Sequence, residues 1–320
     1  MFENKKVLVT GGSGMIGRQL VHLLLERKAK VYVADLNEPL NMPDEINFIK
    51  VDLKEFSQCK KICDGMNYVF NLVGIKTSPK VCAEKPASII GPMLQFNTNM
   101  LEAAMACNVD WYLYTSSVGV YQPASLLKED AVEGSVPSRN DWFGGWAKRI
   151  GEMQIQAYEI QNKLSNCSIV RPANVYGPYD NFDTNNAMVI PSLIRKAEEN
   201  EVLSVWGDGS PVRDFIYAKD VARGMLFAVE NKITEPLNLG SGDGLTIKEI
   251  SETIANYFGK KIVWDSSKPS GDPIRILDMT RAKSYGFHVE TSIQEGVKNT
   301  IDWYISNKSI IDKRYNVFNN

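Results

Sequence analysis

The stretch Val7-Leu8-Val9-Thr10-Gly11-Gly12-Ser13-Gly14-Met15-Ile16-Gly17 constrains the fold more than any other part of the chain. Val7 to Thr10 is apolar and β-branched, as in a strand buried on both faces, while Met15 to Arg27 carries Ile16, Leu20, Leu23 and Leu24 at helical spacing. Gly11, Gly14 and Gly17 therefore fall on a strand-to-helix turn. There Gly11 takes a dihedral closed to other residues, Gly14 lets a diphosphate approach the backbone, and Gly17 lets helix and strand pack closely. The backbone from Ser13 through Met15 and Ile16 opens the helix, so its amide hydrogens and dipole face the phosphates. A second apolar strand, Lys30 to Ala34, ends in Asp35, eighteen positions after Gly17. A carboxylate there accepts hydrogen bonds from both ribose hydroxyls of an adenosine and repels a 2′-phosphate, which marks an NAD site rather than an NADP site.

Beyond Asp35 the apolar runs keep alternating in kind, which predicts an α/β chain with a doubly wound parallel Rossmann sheet. Asn47 to Val51 reads as a strand, Lys54 to Cys63 as a helix, Tyr68 to Val73 as a strand and Ser88 to Asn108 as a long helix. A strand at Trp111 to Thr115, a helix from Phe143 to Lys163 and a strand at Ser168 to Arg171 follow. Asp52 and Leu53, just past the third strand, are placed to read an adenine edge; a helix N-cap is the alternative use of Asp52. Leu72 and Val73, at the tip of the fourth, line the cofactor groove. From Tyr176 the rhythm changes to short elements separated by Gly and Pro clusters (Trp206 to Pro211, Leu239 to Gly244, Pro269 to Pro273). The expectation is an NAD-binding domain over 1–175, with a return segment near 212–240, and a smaller α/β substrate lobe over 176–320, with a cleft between them.

With 320 residues, 44% hydrophobic and 23% charged, the chain buries a large core, and its net charge of -2 offers no field for nucleic acid or anionic lipid. No apolar stretch of eighteen residues and no leader-like segment is visible, so neither a membrane span nor export is expected, and the cytoplasm is the expected compartment. Five scattered cysteines fit reduced thiols. Cys59 and Cys63 lie one helical turn apart, but with only His22 and His288 to join them no metal set is expected.

Three further motifs, together with the glycine turn, carry a family resemblance over nearly the whole chain: Ser116-Ser117-Val118-Gly119-Val120-Tyr121, Trp146-Ala147-Lys148-Arg149-Ile150-Gly151-Glu152 and Arg171-Pro172-Ala173-Asn174-Val175-Tyr176-Gly177-Pro178. With these the chain resembles the extended short-chain dehydrogenases/reductases that act on nucleotide sugars. Val189 to Lys196, Val205-Trp206-Gly207-Asp208-Gly209 and Lys268-Pro269-Ser270-Gly271-Asp272-Pro273 bring it nearest to the GDP-fucose synthase branch. Such enzymes use a Ser or Thr with Tyr-x-x-x-Lys. The spacing puts phenol and ammonium on one helix face, where the ammonium lowers the phenol pKa and the phenol takes a sugar hydroxyl proton. Here Ser117 matches the hydroxyl and Lys148 the lysine, but the tyrosine position is Gly144. Phe143, one residue away, has no hydroxyl.

Gly144-Gly145 inside a helical pattern costs about 1 kcal/mol per glycine relative to alanine. Three readings are open: a substitution introduced deliberately, a catalytically silent NAD(H)-sensing protein, or an enzyme whose proton moves by another route. The completeness of the surrounding motifs favours the third. Family dehydratases place an Asp-Glu pair where this chain has Val118 and Gly119, and the GDP-fucose synthases place a Cys and a His where it has Gly119 and Met188, so dehydration and that epimerisation both lose their acid/base groups. What remains is hydride transfer at a sugar carbon, taken as carbon 4 of a GDP-linked mannose-type hexose or heptose in surface-polysaccharide precursor synthesis, with a 4-epimerase that retains its NAD as the alternative.

The resemblance also implies that Lys148, Pro172, Asn174 and Val175 contact the nicotinamide half. It implies that Ser117, Val118 and Asn174 face the sugar, Val205 and Trp206 flank the base, and Lys196, Arg213 and Arg275 hold the diphosphate. Arg213 paired with Asp208 or Asp214, and Trp206 in the core, are the plainer alternatives. Helices 88–108 and 143–163 form a homodimer bundle in many relatives, so the resemblance implies a homodimer or a dimer of dimers, with Ile150, Met153, Ile155 and Ala157 as candidate contacts and packing against the sheet as their alternative use.

Overall fold

Odd and even positions of the first strand point to opposite faces of a sheet and both are covered, so Val7, Leu8 and Val9 are all fully buried. The computed structural model describes all residues except 40, 77–78, 163–164, 184, 268–271 and 312–320. In it β1 (Lys6–Thr10), β2 (Lys30–Asp35), β3 (Asn47–Lys50), β4 (Tyr68–Asn71), β5 (Trp111–Thr115) and β6 (Cys167–Pro172) alternate with α1 (Met15–Glu26), α2 (Phe56–Cys63), α3 (Pro79–Glu84), α4 (Ala87–Ala106) and α5 (Trp142–Asn162). After β7 (Asn174–Tyr176), α6 (Val189–Glu199), β8 (Val202–Trp206) and β9 (Val212–Tyr217), the chain returns to the first layer through α7 (Ala218–Glu230) and β10 (Leu237–Leu239). It then closes the second lobe with β11 (Gly244–Thr246), α8 (Ile247–Phe258), β12 (Lys261–Asp265) and β13 (Ile274–Arg275), returns α9 (Thr280–Ser284) to the first core beside β10, and ends with α10 (Ile293–Ser306) and α11 (Lys308–Ile311).

The seven-stranded sheet runs β10-β6-β5-β4-β1-β2-β3, with every described pair parallel. Its order reverses between β1 and β4. In such a sheet the crevice beyond the carboxyl ends of the strands at the reversal is where a ligand fits. One face packs Val7, Val9, Val31 and Val33 against Leu20 and Leu24 of α1 and Val221 and Met225 of α7. The other packs Leu8, Val69, Tyr112 and Tyr114 against Met93 and Met100 of α4 and Ala147 and Ile155 of α5. Each such fully covered Val or Leu contributes about 2 kcal/mol of burial free energy.

The second lobe has its own core, in which Leu193, Leu203, Phe215, Ile254 and Ile301 meet. Its β9 carries β11 and β13 on its two sides and pairs with β7, while β8 and β12 form a separate ribbon. Helix α8 is fixed at both ends by a capping box between Thr246 and Glu249 and by Gly259 in the left-handed conformation.

The sequence reading misses α3, a six-residue helix too short to show a period. It starts α2 two residues early, because Asp52 accepts the Lys54 amide in a local turn before the helix begins. The Lys163 end of the fifth helix and the 268–271 part of the last motif lie outside the described residues. Among the described residues no helix is long and apolar enough to cross a membrane, and no group of three metal-ligating side chains occurs.

Candidate active site

At the end of β1 the chain turns through Gly11, whose φ of 66° lies in the left-handed region. A Cβ there would stand 3.3 Å from the Val73 amide nitrogen, so the loops after β1 and β4 touch across the reversal point. A Cβ on Gly17 would run into the Gly11 carbonyl and the Gly12 backbone, the close approach the motif predicts. Gly14 is the N-cap of α1, with no side-chain cap, so the first-turn amides lack the partner a Ser or Asp provides. The Ser13 hydroxyl is buried and also without a partner. Uncapped amides and an orphaned hydroxyl beside a helix N-terminus fit a diphosphate. Asp35 Oδ2 accepts the Ser13 amide at 3.3 Å and Oδ1 the Leu36 amide at 2.8 Å, fixing the carboxylate beside the turn. Ile16 is half-buried and Met15 is buried.

The Leu53 side chain is buried in the α2–α4 core, which leaves its backbone to face an adenine. Asp52 binds the Lys54 amide at 3.0 Å and its ammonium at 3.2 Å, while the N-cap position of α2 is Glu55, so Asp52 does not cap that helix. Leu72 and Val73 are half-buried beyond β4.

Two strands away, β5 delivers Thr115, Ser116 and Ser117. Ser117 Oγ accepts the Gly119 amide at 3.0 Å and caps a short 3-10 turn. From α5, Lys148 Nζ donates to the Thr115 carbonyl at 2.7 Å; burial of the ammonium lowers its pKa to about 8. The Thr115 hydroxyl beside it is a second buried group with no partner. Among the described residues a Cβ on Gly144 would meet nothing within 4 Å, so that face of α5 is open. Its neighbour differs. A Cβ on Gly145 would collide with the Gly119 carbonyl and stand 2.7 Å from Pro137 Cβ. Gly145 is thus the contact that lets α5 approach the Ser117 turn.

A buried ion pair holds this helix in place. Arg171 donates to the Glu152 carboxylate at 2.7 and 3.0 Å, to the Tyr121 hydroxyl at 3.0 Å and to the Glu129 carbonyl at 2.7 Å, while Ser116 donates to Glu152. The sequence shows these residues inside the motifs, and only the fold shows that they pair.

On the second lobe Arg275 Nη1 donates to Asp141 at 2.5 Å, Nη2 donates to the Val118 carbonyl at 3.1 Å, and Nε lies 3.9 Å from Asp272. Its expected grip on a diphosphate is corrected accordingly: three acceptors already hold it. Arg213 bonds only the Val212 carbonyl among the described residues and meets neither Asp208 nor Asp214; burial and the nearby Arg275 lower its pKa. Val118 is buried in the core and offers the cleft only its backbone, contrary to expectation. Asn174 turns its amide to the Asp214 carbonyl at 2.8 Å instead of into the cleft. Strand alternation separates Val205, which is buried, from Trp206, which is 51% exposed, so the two do not flank one ring together. Lys196 Nζ lies 5.3 Å from the Trp206 ring centroid, and burial lowers its pKa.

A strap from 177 to 183 crosses from the second lobe to the first, and the motif reading did not anticipate its contacts. Lys76 reaches the buried Asp180 at 2.9 and 3.0 Å and the Val175 carbonyl at 3.1 Å. Arg18, tied to the Ser13 carbonyl, stacks 4.1 Å from the Tyr179 ring centroid. Pro172, at the end of β6, is buried.

Comparison with known proteins agrees with this geometry. Residues 7–240 match the family described as the NAD dependent epimerase/dehydratase family. The chain is 35% identical over 234 residues to a probable GDP-L-fucose synthase 1 of Oryza sativa subsp. japonica, covering 69% of this chain and 71% of that one. It is 31% identical over 318 residues to a GDP-L-fucose synthase of Sinorhizobium fredii, covering 96% and 98%. The solved structure of a UDP-glucose 4-epimerase of Thermotoga maritima, with UDP-glucose, superposes with a TM-score of 0.82 at 27% identity over 95% of this chain and 99% of that one.

Proposed function

Since the chain belongs to the NAD dependent epimerase/dehydratase family, whose members among its relatives are nucleotide-sugar epimerases and reductases, we propose that it transfers hydride at carbon 4 of a GDP-linked mannose-type hexose or heptose. The observation that carries this reading is the buried Lys148 ammonium on the Thr115 carbonyl, beside Gly74 beyond β4 and one helical turn after the open face of Gly144. NAD, the family's cofactor, accepts and returns the hydride when bound.

The chain's own groups then divide the work. The amides that open α1 and the Ser13 hydroxyl hold the diphosphate of the cofactor, and Asp35 takes the adenosine ribose, which favours NAD over NADP. Lys148 and the Thr115 hydroxyl hold the nicotinamide ribose, and Ser117 donates to a sugar hydroxyl. Arg213, free of carboxylate partners among the described residues, and Lys196 take the sugar-linked diphosphate, with Trp206 against the base. GDP is chosen over other nucleotides because the curated relatives covering nearly all of this chain include GDP-L-fucose synthases. The product belongs to surface-polysaccharide precursors made in the cytoplasm. Met153, Ala157 and Ile160 form an exposed stripe on α5 suited to a homodimer, whereas Ile155 faces the sheet core.

The Lys76–Asp180 and Arg18–Tyr179 contacts favour one second reading, a 4-epimerase that keeps its NAD, because they must part before a cofactor held beneath the strap exchanges. Purified protein with NAD is mixed with a panel of GDP- and UDP-sugars while the near-ultraviolet band of reduced nicotinamide is followed. A dehydrogenase gives a rise that grows with added NAD. A retained-NAD epimerase gives an inverted sugar with no net rise, and cofactor binding with no change in any sugar contradicts both.

A further inference from the structure

Asp141 ends the 3-10 turn Arg139–Asp141 that runs directly into α5. Positions 141, 144 and 148 follow the three- and four-residue spacing of a single helix face, so the stripe reads carboxylate, open gap, ammonium. Among the described residues a Cβ on Gly144 meets nothing within 4 Å, so the gap opens there. Gly119, in the turn that Ser117 caps, meets the same carboxylate. A Cβ there would stand 3.4 Å from Ser117 Oγ and 3.6 and 3.7 Å from Asp141 Cβ and Cγ, so hydroxyl and carboxylate border the same small volume. Two glycines, 119 and 144, thus stand where the family pattern carries proton-transfer groups, and the Asp141 carboxylate borders the first and precedes the second by three residues on the helix face.

Arg275 fixes that carboxylate. One of its amino groups donates to Asp141 and the other to the Val118 carbonyl, next to Ser117. The Asp141 side chain nonetheless keeps 32% of its surface exposed, against 10% for Asp272, whose oxygens already accept from Ser138 and Asn140. Other candidates are occupied. Glu152 is buried against Arg171 and Ser116, Lys148 donates to Thr115, and the Cys82 thiol is pushed up to about 11 by its burial and by Asp141, which leaves little thiolate.

We propose that the Asp141 carboxylate, held at the open face of Gly144 by Arg275, exchanges the proton of the sugar hydroxyl whose carbon exchanges hydride with NAD. This rests on the hydride-transfer reading above. In the oxidative direction the carbinol C–H bond breaks and its electron pair leaves as hydride to NAD. The O–H bond breaks with its proton passing to Asp141, and the C=O bond forms; reduction runs the same atoms backwards. Ser117 orients the hydroxyl, and Lys148 keeps to the ribose.

The test compares wild type with Asp141→Asn and Asp141→Ala, reading kcat, calorimetric affinity for GDP-hexose in the cofactor-free protein, and melting temperature. Removing a general base costs roughly 10²- to 10⁴-fold in kcat, and the affinity is expected to stay within about threefold of wild type. Added carboxylates should restore turnover to Asp141→Ala, acetate more than formate, because rescue by a base follows its basicity while mere refilling of the space does not. Gly144→Tyr on the Asp141→Asn background should return turnover by supplying a phenol in the gap. Where these variants do not fold, Asp141→Glu keeps the charge and the Arg275 partner while moving the oxygens, and it should lower kcat with affinity retained. An Asp141→Asn kcat within about threefold of wild type, a loss confined to KM, or rescue indifferent to basicity overturns the proposal while leaving the hydride-transfer reading intact. A wild-type protein that alters no sugar overturns both.

Discussion

At the end of β1 the polar groups are left waiting: the Ser13 hydroxyl is buried without a partner and α1 begins without a side-chain cap. At the end of β5 almost every polar group is already engaged. Ser117 caps its own turn, Lys148 donates to Thr115, Arg275 binds Asp141, and Glu152 binds Arg171, while the Thr115 hydroxyl has no partner among the described residues. The first region is built to receive a charged ligand, since unsatisfied donors gain most from an anion. The second is built to hold its own shape, since a hydroxyl or ammonium that must meet a reacting atom gains from being fixed beforehand.

The sharpest way to break this contrast is to unpair the second region. Glu152→Ala leaves the Arg171 guanidinium buried without its carboxylate, and removing one partner of such a pair costs about 3–5 kcal/mol. Urea unfolding should show that loss, with α5 loosened from β5 and β6. A Glu152→Ala protein of wild-type stability would mean the network does not hold the helix. A smaller effect separates adjacent glycines. Gly145→Ala must push against the Gly119 carbonyl and should cost about 2 kcal/mol, whereas Gly144→Ala enters open space and should gain about 1 kcal/mol from helix propensity. Equal effects in thermal melts would contradict the close approach at 145.

The smallest expected effect is a slope. Burial holds the Lys148 ammonium at about 8 against an ordinary 10.5, so in that window the unfolded chain binds the proton that the folded chain has released. Stability of the cofactor-free protein should therefore rise as pH climbs from about 8 towards 10.5. Lys148→Met should flatten that part of the curve, read as unfolding free energy against pH.

The two regions also differ in how much of them is legible in the sequence. The cofactor turn is local: Gly11, Gly14, Gly17 and Asp35 belong to one strand-helix-strand unit, so spacing alone predicts their geometry, including the crowding at Gly17. The alternation of strands and helices is legible for the same reason, as each element states its own period. The reaction centre is not local. Arg275 lies 134 positions from Asp141 and 157 from Val118, and no run of residues announces those contacts. Ser138 and Asn140 likewise find Asp272 only through the fold. Side-chain direction was the other loss. Val205 and Asn174 stand in the right motifs, but strand alternation buries one and β9 captures the other. Gly144 is visible as a gap in the Tyr-x-x-x-Lys pattern, yet only the structure shows that the space at its Cβ is open and that Asp141 borders Gly119.

The central claim is that hydride passes between NAD and a sugar carbon beside Lys148 without a phenol. Its most direct test uses a GDP-hexose carrying deuterium at carbon 4, incubated with the protein and NAD, with the dinucleotide recovered for mass spectrometry. The account predicts deuterium on the nicotinamide ring for a dehydrogenase, or a sugar inverted at carbon 4 that keeps its deuterium for a retained-NAD epimerase. A sugar recovered unchanged with an unlabelled dinucleotide, or deuterium lost to water, would contradict it.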